Sequence, residues 1–199
     1  MPRRSVSQVA DSRADTLAAA VNLASVVGLE GLTIGRLAER LGMSKSGLVG
    51  RFGSKEQLQL AALDLAADKF RRAVYESAVR QSAGLQTLNA ICDAWVAYLG
   101  DPPHPGGCFL TTVSVEFDAQ PGPVNDAVKS IMGLWIRALE HQVTVAIENG
   151  ELPPRTDPED VAFAINALAV GANCAYQLNG DRRVLERARR AMDHLLTPA

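Results

Sequence analysis

Cysteine is scarce in this chain of 199 residues: Cys92, Cys108 and Cys174 stand far apart. Three scattered thiols exclude a disulfide framework and suit a reducing, cytoplasmic setting. Histidine is as rare. His104, His141 and His194 have no acidic or cysteine partner at metal-ligand spacing, so no metal site is expected. Nucleophile elbows, phosphate-binding glycine loops and dinucleotide fingerprints are missing too. The expectation is a protein that is not an enzyme, with no catalytic residues and no cofactor. No unbroken apolar run reaches the ~18 residues of a membrane helix, and the basic start Arg3-Arg4 has no apolar stretch behind it, unlike a signal peptide. No membrane partner is expected.

Long runs of Val, Ile and Thr are also absent, whereas Ala and Leu abound. That composition favours helix. A chain this long buries roughly 70% of the surface its unfolded form exposes, so it needs no covalent staple. Net charge is -2, unevenly spread. Residues 1–60 carry a net +3, and the remainder a net -5. A basic head on an acidic body is what an end that meets phosphate looks like.

Apolar residues at three- and four-residue spacing mark helices along the chain. Leu17, Ala20, Val21 and Ala24 predict the first, from Ser12 to Val27; Gly28-Leu29-Glu30-Gly31 ends it. Thr33 caps a second, with Ile34, Leu37, Ala38 and Leu41 on one side. Gly42-Met43 interrupts, and Ser44 caps a very short third, from Lys45 to Arg51. Ser54-Lys55-Glu56-Gln57 reads as a capping box opening a long fourth helix toward Arg80. The run Cys108 to Val115 is strand-like in composition, but nothing nearby can pair with it, so it reads as a buried helix. Further apolar-faced stretches, 85–99, 124–149, 158–177 and 184–196, bring the total to about nine helices. The predicted fold is all-α: a three-helix head over residues 1–53 and a helical body over 54–199.

Two short helices joined by a tight glycine turn are the helix-turn-helix arrangement. Leu48 and Phe52 supply a small core behind the third helix, whose other face offers Lys45, Ser46, Gly47 and Arg51. Small side chains let such a helix sit deep in a major groove about 12 Å wide, while Lys and Arg reach phosphates or guanine edges.

The string from Gly31 to Leu58, GLTIGRLAERLGMSKSGLVGRFGSKEQL, carries Gly31, Thr33, Leu37-Ala38, Gly42, Ser44, Gly47-Leu48, Phe52 and Lys55 to Leu58 at fixed spacing. In these features residues 11–60 resemble the DNA-binding domain of the TetR family of bacterial repressors. The resemblance implies that Thr33 and Lys55 touch the DNA backbone and that Lys45, Ser46 and Gly47 lie in the groove. Where that family usually has tyrosine, this chain has Val49 followed by Gly50. A common phosphate contact is therefore missing, with Arg51 as the candidate substitute.

The resemblance also implies a small-molecule cavity in the body and release from a palindromic operator by an inducer. Aromatic walls with a few polar groups suit such a cavity. The candidates are Trp95, Tyr98, Phe109, Thr112, Glu116, Trp135, Asn173 and Tyr176, with Phe117 and Phe163 as further aromatics. Homodimerisation is expected through the last two helices, by a small-residue face of Val161, Ala164, Ile165, Leu168, Ala172 and Ala175 and by Val184 to Leu195. Arg182, Arg183, Arg187, Arg189 and Arg190 lie opposite and read as a solvated, ion-paired face rather than a second nucleic-acid site. The competing readings are a redox or electrophile sensor using Cys108 at a helix N-terminus, or a scaffold or enzyme with a vestigial DNA-binding head.

Overall fold

The computed structural model describes residues 6–197, with side chains from Arg13 onward; Arg3 and Arg4 lie outside this range. Among the described residues there are nine α-helices and no strand. In order they are α1 (Val6–Val27), α2 (Ile34–Leu41), α3 (Lys45–Phe52), α4 (Lys55–Phe70), α5 (Leu85–Gly100), α6 (Phe109–Glu116), α7 (Pro123–Glu148), α8 (Pro158–Asn179) and α9 (Arg183–Leu196). The strand-like run after Cys108 is indeed helical. Its Phe109, Leu110, Thr111 and Val113 are buried, and burial rather than β-propensity decides its form.

One difference lies after Phe70. The fourth helix does not continue regularly to Arg80 but widens into a π-helical stretch, Arg71–Glu76, and ends in a 3-10 turn, Ala78–Arg80. Arg71 is held there between Asp68 and Glu76, and Arg72 bonds Asp68 at 2.8 Å.

The chain forms two compact units. Unit 1 comprises the residues up to Ala67 together with His104–Val128, and unit 2 comprises Asp68–Pro103 and Lys129 onward. Unit 1 runs past residues 53/54 to include α4 as far as Ala67. In space the head also takes in α6, and named bonds explain why. Leu29 N–H and Glu30 N–H donate to the two carboxylate oxygens of Glu116 at 2.7 and 2.8 Å. His104 Nδ1 lies 3.0 Å from Asn22 Oδ1, and Gly106 N–H donates to Ser25 Oγ at 3.3 Å. The backbone approach at Gly106 is so close that a Cβ would sit 1.7 Å from the Ser25 carbonyl oxygen.

Unit 2 packs α9 against α5 and α8. Arg189 pins α9 to α5 through Asp93 at 2.5 Å and Asn89 at 3.4 Å, and it also pairs with Asp193. Arg183 pairs with Asp181, and Arg182 donates to the Gly100 carbonyl. Of the five arginines expected on an ion-paired face, Arg183 and Arg189 are ion-paired and Arg182 meets a carbonyl. The helix α8 is long and apolar enough to cross a membrane by length and composition only, although polar residues interrupt it; 28% of its most apolar window is buried.

Candidate functional site

Local chemistry sets the helix-turn-helix. Thr33 accepts from Arg36 N–H at 3.1 Å and so caps α2. At the other end Gly42 takes the left-handed conformation, φ 60°, which glycine adopts without steric cost. Gly42 N–H then donates to the Glu39 carbonyl and Met43 N–H to the Ala38 carbonyl, a Schellman closure. Ser44 caps α3 by accepting from Gly47 N–H at 3.1 Å, and Ser54 caps α4 by accepting from Gln57 N–H at 3.1 Å.

Leu48 and Phe52 turn inward from α3, joining Leu37 and Ala38 of α2 in the core of unit 1. The opposite face is solvent-exposed: Ser44, Lys45, Ser46, Gly47, Val49 and Gly50. The Lys45 stem lies along the start of α2, its Cε 3.4 Å from where a Cβ on Gly35 would be. Arg51 behaves otherwise. Its guanidinium donates to the Thr16 hydroxyl at 3.1 Å, inside unit 1. Arg13 donates to the Arg51 carbonyl at 2.8 Å and stacks over the Phe52 ring at 5.0 Å. In the protein alone one nitrogen of the Arg51 guanidinium is thus engaged by α1.

Lys55, the first residue of α4, is bonded to Glu30, and Gln59 reaches both Glu30 and the Leu29 carbonyl. The Lys55 ammonium holds the Glu30 carboxyl below its ordinary range. Neither Arg51 nor Lys55 is idle in the protein alone, a fact that spacing along the chain does not reveal.

The eight effector candidates divide between the two units. Phe109, Thr112 and Glu116 belong with α6 in unit 1. Phe109 is core, the Thr112 hydroxyl donates to the Cys108 carbonyl at 3.3 Å, and Glu116 serves the turn after α1. Trp95, Tyr98 and Trp135 come together in unit 2 around Phe70, which the sequence reading missed. Ring centroids lie 4.9 to 5.7 Å apart, all edge to face. Phe70 ends the apolar stripe of α4, so its spacing was the available signal. The indole N–H groups of Trp95 and Trp135 are buried without a hydrogen-bond acceptor, a costly state that a bound acceptor would relieve. Tyr98 also lines an open groove of about 700 Å³ beside the π-helical stretch, with Lys69, Arg72, Ala73, Ala94, Ala97, Asp101 and Pro103.

On α8, Asn173 is buried and Tyr176 half-buried. Phe163 is not a cavity wall, being 72% exposed. Phe163, Ala167, Gly171, Cys174 and Leu178 form an exposed stripe, whereas Val161, Ile165 and Ala172 of the expected contact face are buried within the unit. Cys108 is 1% exposed, closed to an external oxidant.

The likenesses agree with this architecture. The family model described as "Tetracyclin repressor-like, C-terminal domain" matches residues 84–192, more than half the chain, and "Bacterial regulatory proteins, tetR family" matches residues 17–62. The HTH-type transcriptional repressor ComR of Escherichia coli (strain K12) is 25% identical over 147 residues, 72% of this chain and 69% of that protein. A TetR transcriptional regulator from Chloroflexus aurantiacus J-10-fl superposes with a TM-score of 0.87 at 28% identity, covering 95% of this chain and 96% of that one. AibR, solved in complex with isovaleryl coenzyme A and operator DNA, shares the fold with a TM-score of 0.77 at 19% identity, over 94% and 99% of the two chains. A capped helix-turn-helix, nine helices and two matching family models have one reading: the chain belongs to the TetR family of bacterial transcriptional regulators.

Proposed function

We propose that this protein is a cytoplasmic repressor that binds a palindromic operator as a homodimer and releases it when a small molecule enters the body. The observation that carries the proposal is the outward face of α3, capped, solvent-exposed and nearly bare. A helix presented in this way suits the major groove. Thr33 and Lys55 flank it as phosphate contacts, with Lys45, Ser46 and Gly47 in the groove.

The dimer rests on α8. Its exposed stripe from Phe163 to Leu178 has small residues at its centre, and beside it a groove of about 360 Å³ runs between α8 and α9, lined by Ala167, Gly171, Ala175, Val184 and Ala191 among others. A second copy laying its stripe across this one buries both apolar faces in a four-helix bundle. Two recognition helices then address half-sites about 34 Å apart or a multiple of that.

For the inducer, the ring cluster of Phe70, Trp95, Tyr98 and Trp135 with its two unsatisfied indole donors favours a largely apolar molecule carrying acceptor oxygens. Release requires that the molecule prefer the DNA-incompetent conformation by about 3–5 kcal/mol. AibR shows both kinds of ligand held by one such fold.

The experiment is selection of duplexes from a randomised 30-base-pair pool by the full-length protein, followed by binding titrations at several salt concentrations. An enriched two-fold-symmetric sequence whose affinity falls steeply with salt supports the proposal. Failure to enrich any duplex, or a strictly monomeric protein on sedimentation, overturns it.

A further inference from the structure

Val49 shows 46% of its surface to solvent, while its neighbour Leu48 is fully buried. It stands one turn after Lys45 and Ser46 on the outward face of α3. The residues beside it are peculiar for a helix. Gly47 and Gly50 have ordinary helical φ, so backbone conformation does not require glycine. Packing does not require it at Gly50, where a Cβ would meet nothing within 4 Å; at Gly47 a Cβ would crowd the capping Ser44 hydroxyl at 3.1 Å. Glycine inside a helix is less stable than alanine. At Gly47 a side chain would press on the capping hydroxyl, but Gly50 has no internal role, which indicates that something outside the subunit approaches the backbone there.

The charge around Val49 narrows what that something is. Arg51 is folded back onto Thr16, the Lys45 stem leans toward Gly35, and the Ser44 and Ser46 hydroxyls lie 3.3 Å apart. The surface at Val49 and Gly50 is therefore uncharged and apolar. In a major groove, guanine, adenine and cytosine offer hydrogen-bonding edges that an isopropyl group would desolvate without return. Thymine alone offers a methyl group.

We propose that Val49 is a base-reading residue that packs on the 5-methyl group of thymine in each operator half-site. The bare backbone at Gly47 and Gly50 allows the close approach. This inference rests on the DNA-binding reading above and adds to it the chemistry of one base position.

The test uses full-length protein and the duplex enriched from the randomised pool, with each thymine replaced in turn by deoxyuridine, which removes only the methyl group. One position per half-site should weaken the wild type about four-fold, the worth of one buried methyl-sized group. Val49→Ala, which removes the contact from both half-sites of the dimer, should bind the parent duplex weaker by about the square of that factor, roughly fifteen-fold, and be indifferent to that replacement. Val49→Thr, which keeps a methyl, should retain the response. Circular dichroism and thermal melting establish that the variants fold; alanine at this exposed helical site keeps the helix. The inference is overturned if Val49→Ala keeps the full wild-type pattern of methyl sensitivity, or loses affinity equally for selected and scrambled duplexes. Failure to enrich any duplex sinks the DNA-binding reading itself, and the two failures are thus distinct.

Discussion

The Arg51 guanidinium donates to the Thr16 hydroxyl at 3.1 Å, and Thr16 is 3% exposed. The bond ties the end of α3 to α1 and engages one guanidinium nitrogen there. Arg51→Ala should therefore destabilise the protein by about 1 kcal/mol, because a charge-assisted bond between the two helices is lost. The salt dependence of duplex binding should stay as in the wild type, whereas Lys55→Ala should flatten it. Chemical denaturation and salt-titrated binding separate the two. A flattened slope for Arg51→Ala would return that arginine to the DNA.

Gly50→Ala should raise stability and lower affinity together. The helix gains about 1 kcal/mol from the residue change, with nothing within 4 Å of the new methyl in the protein alone. The same methyl stands where DNA comes close, so binding to the selected duplex should fall by roughly ten-fold or more. Equal or tighter binding would show that the backbone is not approached there.

Glu116 holds the turn after α1 with both oxygens, and a Cβ on Gly28 would lie 2.5 Å from one of them. Glu116→Ala leaves two main-chain donors without their charged acceptor and should cost about 2–4 kcal/mol. Gly28→Ala should be worse, since Gly28 sits at φ 80° and has no room. Melting temperatures check both. An unchanged Glu116→Ala protein would free that residue for a ligand.

Phe163→Glu places a charge in the exposed stripe of α8 and should convert the dimer to monomers on sedimentation. Thiol titration at about pH 8 gives an independent readout, since reactivity follows exposure and thiolate fraction. Cys174 is exposed in the subunit, Cys108 is buried, and burial pushes the Cys92 thiol up to about 12. Cys174 should react slowly in the wild type and fast in Phe163→Glu, with the other two silent until unfolding. Fast reaction of Cys174 in the wild type would mean that the stripe is not covered.

The Glu30 carboxyl, held low by the Lys55 ammonium, sets a small acid-side dependence. A depressed folded pKa means the contribution is present above the ordinary carboxylate value of 4.5 and lost as pH falls through the lower folded value. Both groups are exposed, so the stability change should be slight. Glu30→Gln should abolish it and, by releasing Lys55 to phosphate, tighten duplex binding by roughly three-fold. Weaker binding instead would place Lys55 away from the DNA.

The head was readable because its signals are local. Thr33, Gly42, Ser44 and Ser54 act within one helical turn of themselves, and periodicity separates Leu48 and Phe52 from Lys45, Ser46 and Val49. The effector candidates were less readable. Aromatic content picked out Trp95, Tyr98 and Trp135 but equally Phe163, since exposure is not a property of composition.

What the sequence alone determined is the all-helical fold, the capped helix-turn-helix and the face α3 turns outward, because caps and apolar periodicity span only a few residues. Only the tertiary structure decided that Arg51 points home, that Glu116 belongs to the head and that α8 leaves Phe163 and Leu178 uncovered. Those outcomes depend on partners 35 to 87 residues away, or on which side of a uniformly apolar helix its own subunit fills first. No spacing along the chain encodes either.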